Sequence, residues 1–412
     1  MVLLNPLIGL LALQLVSAAP QASPTPSALS TSSPSGSSLS TSLSTGEVDE
    51  LFSLHEKLVN IPSISGDEVE CAEFVTDYLT NLGYYVEQVP VGDTGTYNIF
   101  AYPQELKDQG AWPEVLITSH IDTVPPFYPF KRIEENGTIY HSGRGTVDAK
   151  GPVATMIIAS HKFLQSRNET TKLGMLFVVS EETGGAGMKA FAQYASNTTF
   201  RAGIFGEPTE GKLASGHKGS FSVTLKAVGK ASHSAYPWLG VSAINYIVDA
   251  IYALNTLEPA LPKSELLGAT TLNTGLIAGG VAGNVVPANA NATVVIRVAR
   301  SEDDAADVVK EMVSGMLSPI ASRAKEANAT FEITYSGAAS VAQILDTDIE
   351  GLEVAPVFYG TDVPSLPQVE KRYLFGTGTI EVAHTPDEML SQDELVQAAD
   401  AYGLILQSLF AE

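Results

Sequence analysis

The sequence predicts an α/β fold: a mostly parallel sheet with helices on both faces, interrupted by an inserted α+β lid of ferredoxin-like order. Three observations carry this expectation. Apolar runs of strand length end abruptly in histidine or acids at Ser119-His120-Ile121-Asp122, Ser180-Glu181-Glu182 and Gly206-Glu207, and a run apolar on both faces suits a buried parallel strand. Between them, PVATMIIASHKFLQ repeats its apolar residues at helical spacing, as a helix covering such a sheet must. From about Gly219 the pattern changes to alternating strands interleaved with two amphipathic helices, which marks a second kind of layer.

Taken in order, residues 2–18 form a short apolar run closed by small residues, with Val16 and Ala18, or Ser17 and Ala19, placed for signal-peptidase cleavage. We therefore expect a signal peptide over 1–19 and a secreted, extracellular protein. A membrane anchor fits less well, because the run is short and contains Asn5, Pro6 and Gln14. Residues 20–46 are Ser, Thr, Pro and Ala with almost no charge, a composition that cannot drive collapse. Five sequons, at Asn136, Asn168, Asn197, Asn291 and Asn328, agree with glycosylation on a secretory route. Cys71 is the only cysteine, so no intramolecular disulfide supports the fold, and its expected place is a buried apolar one.

Folded structure is expected from Glu47. Leu51, Leu54 and Leu58, then Cys71, Phe74, Val75 and Leu79, recur at helical spacing, whereas TYNIFAYP, PEVLITSHID, LGMLFVVSEE and RAGIFGEPTE read as strands. FSVTLKAVG, VSAINYIVDAIYAL, LNTGLIAGG, NATVVIRVAR, DAADVVKEMVSGML and TFEITYS give the order β, α, β, β, α, β. The catalytic domain is thus expected over 47–218 and 337–412, with the lid over 219–336. With 46 acidic against 23 basic residues, the net charge of −23 argues against nucleic acid as a partner.

Chemistry concentrates at the strand ends. His120 and Asp122 fall on one side of an extended segment, so one can bind a metal while the other accepts its second ring N–H; a hydrogen-bonded surface pair is the plainer alternative. Asp148, in the Gly-rich turn GRGTVDAKGP, can be approached from two sides as a bridging ligand, or it can simply cap a helix. Glu181 and Glu182 close a buried strand where neighbours point in opposite directions, which suggests Glu182 as a ligand and Glu181 as the base. Buried acids at such a place call for a cation. Glu207 repeats the situation, with a solvated turn as its bland reading, and His384 arrives beyond the insertion in GTGTIEVAHTPDE. Three carboxylates and two imidazoles, one carboxylate bridging, suit two zinc ions per subunit.

The ordered motifs SHIDTVPP, GRGTVDAKGP, EETGG, GEPT and AHTPDE resemble the zinc metallopeptidase family of acetylornithine deacetylase, succinyl-diaminopimelate desuccinylase, aminoacylase and glutamate carboxypeptidase, from Val48 to the C-terminus. The resemblance implies that His120 and Glu207 hold one metal, Glu182 and His384 the other, with Asp148 bridging and Glu181 as general base. It further implies that His233, in GKASHSAYP, stabilises the transition-state oxyanion, reaching the partner's site in dimeric members, and that Asn284 and Arg297 hold the substrate's carboxylate. A turn amide and a strand-face charge are the plainer roles for those two. Gly376-Thr-Gly378 departs from the family's usual Gly-Pro-Gly.

The resulting expectation is a secreted carboxypeptidase-like enzyme that hydrolyses a peptide or amide bond next to a free carboxylate. Its partners would be a small peptide or N-acyl amino acid and a second copy bound through the lid, with no membrane after signal cleavage. An N-acyl amino-acid deacylase is the alternative within the same chemistry. Related zinc aminopeptidases lack the insertion, and a non-catalytic secreted binding protein would be marked by a missing ligand.

Overall fold

The computed structural model describes residues 41–411 apart from 94, 168, 169, 337 and 338. The expected signal peptide, the leader as far as residue 40 and the Asn168 sequon lie outside the described residues. The leader boundary at residue 46 is corrected at its end. Helix α1 (Thr45–Asn60) opens with a capping box in which Ser44 and Glu47 each accept the other's backbone N–H. Leu43 is buried in the core, and the Ser42 hydroxyl donates to Asp400 at 2.6 Å. Local capping chemistry, not hydrophobic density, thus sets where the helix begins.

After α1 come α2 (Val69–Asn81), the short α3 (Gln104–Asp108) and the first strands of the central sheet, β1 (Tyr84–Pro90), β2 (Tyr97–Pro103), β3 (Val115–His120), β4 (Leu173–Val178) and β5 (Phe200–Phe205). Four strands of the lid intervene before β10 (Val369–Leu374) completes the sheet in the order β1-β2-β4-β3-β5-β10. β3 is parallel to β4 and β5, and β5 to β10, while β2 runs against both β1 and β4. Every residue of β3 and β4 is buried. One face packs on α1, α2, α4 (Lys150–Gln165) and α8 (Gln392–Leu409); the other packs on Met188 and Phe191 of α5 (Ala186–Tyr194). The sheet thus has helices on both faces.

The lid comprises β6 (Gly219–Val228), α6 (Ala243–Leu257), β7 (Thr271–Gly279), β8 (Asn289–Val298), α7 (Ala305–Glu326) and β9 (Thr330–Tyr335). Its sheet runs β7-β8-β6-β9, antiparallel throughout, the ferredoxin-like arrangement. In β8 the period of two is exact in its consequences: Ala290, Ala292, Val294, Ile296 and Val298 enter a core of the lid's own with α6 and α7, leaving Asn291, Thr293, Val295 and Arg297 on the opposite face. Where the chain enters the lid, Gly219 is indispensable, since a Cβ there would lie 2.1 Å from the Ser340 carbonyl oxygen of the returning chain.

Candidate metal centre and cleft

The carboxyl ends of β3, β4 and β5 meet the Gly143–Asp148 turn and the loop after β10. His120, the last residue of β3, is 1 % exposed. Its Nε2 lies 3.1 Å from Asp148 Oδ1 and 3.9 Å from Glu207 Oε1. His384 Nε2 lies 3.2 Å from Asp148 Oδ2 and 3.0 Å from Glu182 Oε1. The two oxygens of Asp148 therefore face different imidazoles, each accompanied by one further carboxylate. Ligand atoms of His120, Asp148 and Glu182 all lie within 4.8 Å of one another.

Electrostatics tests whether this set suits a cation. Burial drives the Glu181 and Glu207 carboxyls well above their ordinary range, with neighbouring acids adding to the rise, and burial raises Glu182 despite its bond to His384. Hydrogen bonds to Asp148 and Glu182 push His384 up to about 10. Burial alone would lower His120, but its bonds to Asp122 and Asp148 lift it well above 6.5. Burial likewise opposes ionisation of Asp148, and the two histidines more than offset it, so its pKa falls. So many acids around two imidazoles hold protons that divalent cations would replace, and the N/O donor set fits zinc-like ions.

Asp148 is held by Glu388, which is 1 % exposed. The Glu388 carboxylate accepts the N–H groups of Val147 (2.9 Å) and Asp148 (3.2 Å) and pairs with Arg144 at 2.8 Å. Lys150 reaches back from α4 to the end of α1, donating to the carbonyls of Leu58 (2.9 Å) and Ile61 (2.7 Å).

One expectation needs correction. Glu181 and Glu182 do not end a strand: β4 stops at Val178 and Ser180 turns left-handed with φ 58°, so alternation along a strand cannot assign them. Their orientation comes instead from Asp122, whose carboxylate accepts the N–H of Glu181 (3.0 Å) and of Glu182 (3.2 Å) and the Ser65 hydroxyl (2.7 Å). The same carboxylate also faces His120 and helps to raise the pKa of that ring. Nδ1 of His120 sits 2.9 Å from the Asp122 carbonyl oxygen and 3.5 Å from Oδ1.

Beside the centre a cleft of about 970 Å³ runs between Glu181 and Glu182 on one side and Ser220, Val295 and Arg297 of the lid on the other. Arg297 thus lines it with the expected base. His233 and Asn284 do not. His233 is exposed on a short strand paired with Val285–Val286, and exposed Asn284, just before that pair, accepts Ser234 N–H at its carbonyl at 3.0 Å, so within one copy of the chain neither forms the wall around Glu181. Sequence reasoning missed Thr361 and Asp362, which line the same cleft, and Ser65 and Glu388. Glu388 stands in the quoted AHTPDE motif, but Gly360-Thr-Asp362 belongs to an aperiodic stretch with no spacing to single it out. Of the sequons, Asn136, Asn197, Asn291 and Asn328 are exposed. Cys71 is buried and unpaired, as expected.

A sheet that delivers imidazoles and carboxylates to one point beneath an arginine-bearing lid places the chain in the class of metal-dependent hydrolases. Residues 116–408 match peptidase family M20/M25/M40, and the chain belongs to that family of peptide-bond hydrolases. It is similar to a probable carboxypeptidase of Aspergillus niger, 42 % identical over 388 residues that cover 88 % of this chain and 90 % of the relative. Among solved structures, an M20 family metallo-carboxypeptidase from Sulfolobus solfataricus superposes with a TM-score of 0.67 at 20 % identity, covering 87 % of this chain and 98 % of the other. A dinuclear metal-binding M20 peptidase from Bacillus subtilis gives 0.61 at 15 % identity, covering 89 % and 99 %. These two likenesses concern the fold.

Proposed function

We propose that the protein is a secreted metallo-exopeptidase of carboxypeptidase type that cleaves a peptide or amide bond next to a free carboxylate. The observation that carries this reading is Arg297, projecting from the lid sheet into the cleft that also holds Glu181. A guanidinium fork pairs with a terminal carboxylate through two hydrogen bonds, and that anchor would set which bond lies over Glu181.

In this reading His120, Glu207 and Asp148 hold one zinc ion and His384, Glu182 and Asp148 the second. When bound, such a pair lowers the pKa of a shared water and polarises the scissile carbonyl. Glu181 takes the attacking water's proton and returns it to the leaving nitrogen, the Glu388 and Asp122 bonds keeping Asp148 and the 181–182 turn in place meanwhile. His233 and Asn284 act on the cleft of a second copy, His233 at the developing oxyanion and Asn284 on the substrate. Support for a lid-mediated dimer comes from the exposed edge strand β7 and from Trp238, Tyr252, Leu276 and Ile277, all at least 60 % exposed. The division into a catalytic domain (47–218 with 337–412) and a lid (219–336) belongs to the same reading. Secretion and glycosylation rest on the apolar run 2–18 and the sequons.

The test is a matched panel of blocked dipeptides with free C-terminal carboxylates, N-acetyl amino acids and aminoacyl anilides, assayed before and after chelation and zinc restoration. Zinc-dependent cleavage of the blocked dipeptides supports the proposal. Preference for the acetyl compounds would make the protein an N-acyl amino-acid deacylase, and inertness with metals bound would make it a binding protein.

A further inference from the structure

Of the buried histidines that the mechanism above leaves unused, His55, His141 and His217, the last is bonded to a residue that lines the cleft. His217 is 0 % exposed and stands where the chain leaves the central layer for the lid, just before β6. Its Nδ1 lies 3.0 Å from the Lys218 carbonyl oxygen, which can only accept, so Nδ1 carries the ring proton. Burial lowers its pKa to about 4, assisted by the nearby charge of Arg297, and the ring is neutral near pH 7. Nε2 is therefore a bare acceptor, and the Thr361 hydroxyl, 3.1 Å away, donates to it. The same hydroxyl oxygen accepts Val363 N–H at 3.2 Å. Every hydrogen in the network is thereby assigned.

What the network ties together is functional. Thr361 and Asp362 line the same cleft as Glu181 and Arg297. Gly360 packs beneath the guanidinium so closely that a Cβ would lie 3.3 Å from Arg297 Nη1 and 3.6 Å from the Lys218 carbonyl oxygen. We infer that His217 is a positioning residue: its bond to Thr361 fixes the cleft wall to the root of the lid and so sets the spacing between the carboxylate anchor Arg297 and the base Glu181. The inference rests on the proposed role of Arg297.

Thr361→Val keeps the shape and removes the donor. It should raise KM for a blocked dipeptide about five- to tenfold, the value of one buried hydrogen bond, with kcat and bound metal within about twofold. His217→Ala should do the same, and the double variant should be no worse than either single one. His217→Gln, whose amide oxygen can accept from Thr361, should recover most of the loss. Arg297→Met is the control. If it raises KM while Thr361→Val does not, or if the two losses simply add, the inference is wrong. If Arg297→Met leaves KM unchanged, the anchor reading fails and the inference falls with it.

Discussion

His55 and His141 face each other in the core with their Nδ1 atoms 2.9 Å apart and their rings stacked, and this pair should make the protein acid-sensitive in a measurable way. His55 Nε2 donates to the Thr146 carbonyl at 3.0 Å, so its Nδ1 must accept, and His141 supplies the proton. Burial, His141 itself and Lys150 lower the His55 pKa to about 3; burial and Arg132 lower that of His141 to about 4. Both values lie below the unfolded value of about 6.5, so the unfolded chain binds more protons. The pair's contribution to stability is present above about pH 6.5 and is lost as pH falls towards 4 and 3. At pH 5, about 1.5 units below the unfolded pKa and still above both folded ones, each ring costs roughly 2 kcal/mol relative to pH 7, hence about 4 kcal/mol for the pair. That is a large share of the ~5–15 kcal/mol that holds a domain folded. Urea unfolding followed by circular dichroism at pH 7, 6 and 5 measures the slope. Since carboxylates titrate in the same range, the decisive comparison is with the His55→Leu/His141→Leu double variant, which should be less stable at pH 7 yet lose about 4 kcal/mol less on acidification. An unchanged slope would refute the assignment of both rings as neutral and buried.

Further outcomes can be checked independently. Glu181→Gln should lower kcat by about 10²- to 10⁴-fold while bound metal, measured by elemental analysis, and Tm stay near wild type; an active variant would remove Glu181 from the base role. Glu388→Ala leaves Arg144 buried without its partner and frees two N–H groups beside Asp148, and should cost about 3–5 kcal/mol in denaturant unfolding with a fall in metal stoichiometry. Chelation should lower Tm and zinc restore it, because buried acids raised above their ordinary range lose the cations that would replace their protons. With free metal at about a hundredfold over Kd the gain per site is about 2.7 kcal/mol. A Tm indifferent to chelation would contradict the metal centre.

Much of this was legible because burial leaves a signature. β3 and β4 are buried along their whole length, so their sequences are apolar throughout and the polar residue that follows stands out. The lid was legible for a related reason: one face of β8 is a core and the other is not, and the alternation in NATVVIRVAR records it. β10 gave no such signal. It lies at the sheet's edge, where Glu370, Lys371 and Arg372 are tolerated in the middle of the strand. The turn at Ser180 was hidden because its cause, the Asp122 carboxylate, lies far away in sequence, and no local pattern reports a bond between distant segments. Thr361 and Asp362 were missed on the same account.

Distance in sequence also explains how the centre is held. Only His120 among the five proposed ligands sits in a regular element; Asp148, Glu182, Glu207 and His384 occupy turns and loops, whose backbones a sheet does not fix. Each needs a tether from elsewhere. Glu388 supplies one for Asp148, Asp122 supplies one for Glu182, and the Thr209 hydroxyl, accepting Gly376 N–H at 2.9 Å, ties the turn after Glu207 to the loop that leads to His384. The Glu207 carbonyl, 2.2 Å from where a Cβ on Gly376 would stand, makes that crossing possible only for glycine. Gly376 is shared with the family's Gly-Pro-Gly and Thr377 is not, so the departure falls on the residue beside the obligatory contact rather than on the contact itself. Thr377 is buried with its hydroxyl unpartnered among the described residues, which makes the side chain there replaceable by proline without loss of a hydrogen bond.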